Sequence, residues 1–309
     1  MKSITTNKKH IHLIRSLRRN WMYYVFLLPA IAYLAIFSYV PMYGIQIAFK
    51  KFTPGLGILG SPWIGFQHFT TFFNSYQFWS LLTNTLALSF YMLIANAPIP
   101  VILALLLHYC VFGKFKKFTQ TITYAPHFIS MVVLVGIILE FLSLDGPVNQ
   151  FVMKLGGEKF FFMGKPELFR HIYVWSGVWQ QAGWSSIIFI ATLTSISTEL
   201  HEAAIVDGAN KLQRIIHIDV PCILPTFIIL MILNTGYLMS VGFEKAFLLQ
   251  NSVNIQVSEI ISTYTYKVGL GNAQFSYSTA IGLFNNTINF ILLISVNRLS
   301  RYFSGTSLW

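Results

Sequence analysis

The sequence predicts an all-α membrane protein, a polytopic bundle of six transmembrane helices. Three observations predict it. Charged residues make up 10% of the chain and hydrophobic ones 55%, whereas a soluble domain carries about 25% charged residues. The mean hydropathy is +0.61, so most of the surface belongs in lipid. And six separate apolar stretches reach the roughly 20 residues that cross a bilayer.

The six stretches lie near Trp21–Phe49, Leu81–Phe112, Thr121–Leu142, Ile172–Ile196, Ile223–Leu248 and Tyr277–Asn297. Several contain Pro29, Pro41, Pro98, Pro100, Pro126 or Gly183. Membrane helices tolerate these residues because neighbouring helices and side chains satisfy the freed backbone groups. The first stretch is too long for a cleavable signal peptide and lacks a small-residue cleavage site, so it reads as a span.

Charge placement sets the expected orientation. No acidic residue precedes Glu140, and the first twenty residues hold Lys2, Lys8, Lys9, Arg15, Arg18 and Arg19. The positive-inside rule puts that leader in the cytoplasm. Alternation then puts both termini, Lys114, Lys116 and Lys117, and a polar loop around Glu202 on the same side. The expected organisation is a basic leader (1–20), a first span (21–49), an outside loop (50–80), a five-helix core (81–297) containing the polar loop (197–221), and a cytoplasmic tail (298–309). The outside loop is rich in glycine and aromatics, which predicts ordering by aromatic packing at the interface. A basic balance of this kind signals topology in a lipid membrane, and no motif for nucleic acid accompanies it. The two cysteines, Cys110 and Cys222, fall near cytoplasmic ends, which argues against a disulfide framework. No His/Cys cluster has zinc-ligand spacing.

The polar loop is the most informative segment. Ser197 or Thr198 can cap a helix whose first turns hold Glu199 and Glu202, where carboxylates suit the positive end. Asp207-Gly208 ends that helix, since glycine accepts the left-handed backbone a helix end wants. A second short helix is expected from Ala209 to about Ile218, and Pro221 is expected to start the fifth span. Small alanines beside carboxylates suit close docking against a basic rim on a partner. A solvated loop that merely stays out of lipid is the competing reading, and composition does not separate the two.

Glu202-Ala203-Ala204, then Asp207-Gly208-Ala209, then Ile218-Asp219-Val220-Pro221 and Pro225 resemble the loop of permease subunits in binding-protein-dependent ABC importers. Val220 stands where that family usually has Leu, and Asp219 falls at a variable place. Other segments resemble the carbohydrate-uptake branch, the maltose-permease-like transporters of oligosaccharides and polysaccharide fragments: Tyr39–Gly44, Gly60–Phe66, Asn84–Leu86, Gln120–Ser130, Gly242–Lys245 and Ser307–Trp309. The resemblance runs over nearly the whole chain. It implies a type I importer fold in which Glu202, Ala203, Ala204, Asp207, Gly208 and Ala209 form a coupling helix seated on a cytoplasmic ABC ATPase dimer. It also implies a second related permease chain and an extracellular or periplasmic sugar-binding protein. ATP and its Mg would be bound by the partner ATPase. This chain has no cofactor of its own and lacks the G-x-x-x-x-G-K-[S/T] phosphate loop, so the resemblance makes it a transport subunit, not an enzyme.

Polar groups inside the stretches are candidates for a substrate path. These are Asn84, Tyr91 and Asn96 in the second, Trp179 and Trp184 in the fourth, Asn234 and Tyr237 in the fifth, and Asn285, Asn286 and Asn289 in the sixth. Amides and hydroxyls both donate and accept, as sugar hydroxyls require, and the aromatic rings can stack on pyranose faces. Interhelical hydrogen bonding, about 0.6 kcal/mol per contact, is the competing role for each. Glu140 reads as the outer edge of its run. His127 reads as capping or packing a helix, and Ser185-Ser186 has no supporting base. An ion-driven carrier would bury acid or histidine relays and often shows internal repeats. A membrane enzyme would need an acid/base or metal constellation. Neither pattern is present.

Overall fold

The computed structural model describes residues 19–308. The basic leader, apart from Arg19 and Asn20, and the closing Trp309 lie outside the described residues. The chain divides into two compact units, Met1–Gln67 and His68–Trp309. Among the described residues the only pairing of extended backbone is an isolated bridge between Lys50 and Trp63.

In the first unit, α1 (Trp21–Phe49) is one continuous 29-residue helix. Its wide π-helical turn, Ala35–Tyr39, ends two residues before Pro41 and includes Phe37, four residues back from the proline. A proline ring collides with the carbonyl four residues back and offers no N–H, and a wider turn relieves both problems. The following loop is held by polar groups as well as rings. Lys50 is buried, donates to the Ile58 carbonyl at 2.7 Å and lies over the Trp63 ring. Phe49 meets Phe66 edge-on. Aromatic packing alone, the sequence expectation, misses the lysine.

The second unit is built around α5 (Pro166–Thr194). It packs against α2 (Phe78–His108), α3 (Gly113–Phe128) and α4 (Met131–Phe141). Phe169, Tyr173, Val174 and Val178 of α5 join Leu88 and Val135 in the largest apolar cluster. Further along, Phe189 and Leu193 meet Ala104 and Ile223. Gly183 sets the approach of α3 to α5. A Cβ there would lie 1.9 Å from the Thr123 carbonyl oxygen, so only glycine fits. Further along the chain lie α6 (Thr198–Val206), α7 (Lys211–Thr235), α8 (Phe243–Leu249) and α9 (Phe275–Ser304), besides several shorter helices.

Two expectations are corrected. The stretch Thr121–Leu142 is not one straight helix, because α3 and α4 meet at 105°. Pro126 lies in the last turn of α3, and Ser130 starts α4 afresh by accepting from the Val133 N–H. The stretch Ile223–Leu248 is broken as well: α7 ends at Thr235, and α8 begins only at Phe243. Asn289 holds the break open by accepting from the Met239 N–H at 2.8 Å and donating to the Ser240 hydroxyl. By length and composition alone, four helices among the described residues (α1, α2, α7, α9) could cross a membrane, and α3 with α4 adds a fifth if they are one broken span. α5 has the length, but Glu167, Arg170, His171, Gln180 and Gln181 make it too polar to qualify on composition. Arg170, His171 and Gln180 bond to residues of α2 or of the turn before α4, whereas Glu167 is exposed.

Candidate coupling loop and translocation path

The polar loop folds as a helix, a tight turn and a second helix. Ser197 caps α6 by accepting from the Glu199 N–H at 3.3 Å. Gly208 closes α6 with φ +83°, and its N–H donates to the Ile205 carbonyl at 3.0 Å. The second helix starts at Lys211, not Ala209. Asn210 and Gln213 form a reciprocal capping box with bonds of 2.9 and 2.8 Å. That helix does not stop at Ile218. It runs through a π-helical turn, Ile215–Asp219, and past Pro221 as the foot of α7, because the wide turn again absorbs the proline. Glu202, Ala203, Asp207 and Gly208 are exposed, and Ala204 and Ala209 are half-buried. Leu200, Ile205, Val206 and Leu212 are exposed on the same loop. A hollow of about 300 Å³ lies between its arms, lined by Ala204, Asp207, Gly208, Ala209, Gln213 and Arg214 among others.

At the base of the loop is a buried group that sequence reasoning passed over. Asp219 has no exposed surface. Tyr109, at the end of α2, donates to its Oδ2 at 2.6 Å. His201 Nε2 of α6 stands 3.3 Å from its Oδ1. Both of those atoms are buried and out of line for a hydrogen bond. Tyr109 follows the last residue of α2, and burial first, then the bond to Asp219, push its phenol up to about 12. It therefore stays protonated and keeps donating. Tyr109 and Asp219 are far apart in sequence, so no local pattern could have paired them.

The path candidates divide into two groups. A cavity of about 390 Å³ is lined by Trp184, Asn234, Asn96, Gln181 and Ser185 with apolar side chains of α2, α5 and α7. A second cavity, about 200 Å³, shares Asn96 and Asn234 and adds Tyr237 and Ser89. The Asn96 Oδ1 is buried with no hydrogen-bond partner. Trp184 stacks on His127 at 4.4 Å, and His127 Nδ1 is 3.0 Å from Gln181 Oε1. Gln181 and Ser89 are polar lining residues the sequence reading missed. The signal for Gln181 was the polar pair Gln180-Gln181 inside an apolar run.

Asn84, Tyr91, Asn285 and Asn289 do not line these cavities. Asn84 donates to the Gln256 and Glu259 carbonyls and accepts from Arg170. The Tyr91 hydroxyl lies 2.8 Å from His171 Nδ1 and accepts from Trp175. Asn289 serves the α7–α8 break. Asn285 is buried on α9, with its Oδ1 unpartnered. Glu140 is exposed in the last turn of α4. No group of His, Cys, Asp and Glu among the described residues could hold a metal.

Residues 82–304 match the family described as binding-protein-dependent transport system inner membrane component. The chain is 42% identical to the polygalacturonan/rhamnogalacturonan transport system permease protein YteP of Bacillus subtilis (strain 168), over 96% of this chain and 92% of that protein. It is 39% identical to protein LplB of the same organism, over 99% and 96%. Among solved structures, a chain of a bacterial alginate ABC transporter in complex with an alginate pentasaccharide-bound periplasmic protein superposes with a TM-score of 0.88. It is 38% identical, and the match covers 95% of this chain and 99% of that one. With a family match over most of its length and relatives this similar, the chain belongs to the inner membrane components of binding-protein-dependent transport systems.

Proposed function

We propose that this permease imports fragments of an acidic polysaccharide, driven by a separate ATPase that docks on the Glu202 loop. That the chain is a sugar permease of an ABC importer follows from its family and relatives, which give no support to an ion-driven carrier. The substrate refinement is supported by those relatives, which are described as transporters of polygalacturonan and rhamnogalacturonan or of the acidic polysaccharide alginate.

The observation that carries the path assignment is Asn96. A buried amide oxygen without a partner is costly, and this one lines the cavities that also hold Asn234, Trp184 and Tyr237. A sugar hydroxyl passing through would supply the missing donor, and the indole and phenol faces suit a pyranose ring. The docking assignment is supported by the exposed Leu200, Ile205 and Val206 beside exposed Glu202 and Asp207. Apolar groups rimmed by charge on a short loop suit a protein partner. A second permease chain would complete the pore, an extracellular binding protein would deliver the sugar, and the loop would face the cytoplasm with both termini. In this reading the chain has no ATPase site of its own.

Competition distinguishes the sugar class. Uptake of labelled trigalacturonate into cells carrying the transporter is expected to saturate, and to fall with excess unlabelled oligogalacturonate but not with excess maltotriose. Competition by maltotriose alone contradicts the acidic assignment.

A further inference from the structure

We infer that Asp219 is a positioning residue that fixes the coupling helix α6 to the feet of α2 and α7, so that movement imposed on the loop reaches the spans. The inference rests on the reading of the loop as the ATPase dock. Three elements far apart in sequence converge on one carboxylate. It sits on the π-helical turn at the foot of α7, Tyr109 at the end of α2 holds one oxygen, and His201 of α6 faces the other at 3.3 Å. Charged or titratable neighbours are His108 of α2 and Arg214 at the start of α7, and the Arg214 Nε is itself buried without a partner.

A wholly buried carboxylate is expensive unless it is paired. The Tyr109 bond ties α2 to the foot of α7, and the His201 ring of α6 covers the second oxygen without bonding it, so moving α2 or α6 away changes the cost of that carboxylate. The His201–Asp219 contact is close but out of line. A small rotation of α6 would align it, which gives the joint a second arrangement of different energy. Two discrete arrangements that both sites can bias are what coupling between sites requires. Glu202 and Asp207 face outward from the same helix, so the joint lies behind the proposed docking face and not in it.

The test uses the complex purified with its ATPase and reconstituted in lipid nanodiscs. Cys110 and Cys222 are replaced by serine, and spin labels are placed through Thr198→Cys on α6, outside the proposed docking residues, and Val111→Cys just past α2. Both positions are exposed. The distance distribution is expected to be narrow and to shift when ATP and vanadate are added. In Asp219→Asn the ATPase still co-purifies, but the distribution broadens about twofold and the shift is lost. Tyr109→Phe is expected to act in the same direction, and His201→Gln added to Asp219→Asn is expected to change nothing further, as for residues acting in one unit. An unchanged width and shift in Asp219→Asn overturns the proposal. So does broadening accompanied by an equal loss of the complex's thermal stability, which would make Asp219 a general structural residue. If the unsubstituted chain carries no ATPase, the docking reading falls first and this inference with it.

Discussion

Gly183 and Asn96 show how single residues fix what the bundle can do. Gly183 lets α3 and α5 touch backbone to backbone, with no room for even a methyl group against the Thr123 carbonyl. Gly183→Ala must push the helices apart, and overpacking of this kind costs about 1–3 kcal/mol. A lowered melting temperature of the detergent-purified protein checks it. Asn96 is the opposite case, a polar group whose use lies outside the chain. Asn96→Leu removes an unpartnered buried acceptor, so the fold is expected to keep its stability or gain slightly. Sugar uptake is expected to weaken roughly tenfold, as loss of about one hydrogen bond implies. Uptake kinetics and thermal melting on the same preparation separate the two effects. Of these residues, Gly183 was legible only as a tolerated helix glycine and Asn96 only as one amide among several. What distinguishes them is a neighbour across a helix interface, and periodicity along one helix does not report it.

At the scale of elements, the loop was the most legible part. A polar, glycine-broken island in an apolar chain has few alternatives. Its cap at Ser197, its acidic first turn and its left-handed Gly208 all follow from local rules. Its second arm was misjudged because Pro221 reads as a helix start, whereas the π-helical turn before it lets one helix run from Lys211 to Thr235. The breaks at Ser130 and after Thr235 were hidden for a related reason. Hydropathy measures apolarity, which stays high through a bend, and Asn289, the side chain that stabilises one break, is far away in sequence. The loop geometry carries a prediction. Gly208→Pro deletes the N–H bonded to Ile205 and imposes a negative φ where +83° is needed. Glu202→Lys reverses a charge on the exposed face. Both variants are expected to abolish uptake while inserting into the membrane at normal levels, which fractionation and a transport assay on the same cells check. Normal uptake in both would remove the loop from the coupling machinery.

For the molecule as a whole, the path and the loop lie on the same helices. α7 begins at the loop and carries Asn234 near its other end, and α5 supplies Gln181 and Trp184 before it leads into α6. Displacing the loop therefore acts through continuous helices on the residues that line the cavities. The fold class, family and transport role were legible from composition and from the loop. The breaks within the third and fifth stretches and the grouping of path residues were not, because apolarity stays high through a bend and Asn84 and Asn289 spend their amides on distant parts of the chain. In the proposed route the energy comes from a separate ATPase, so the account stands or falls on partners. The most direct measurement is purification of the tagged chain from native membranes in mild detergent, with its companions identified by mass spectrometry. The account predicts a phosphate-loop ATPase and a second, related permease in near-equal amounts with the chain. Recovery of the chain alone, or only with copies of itself, would contradict it.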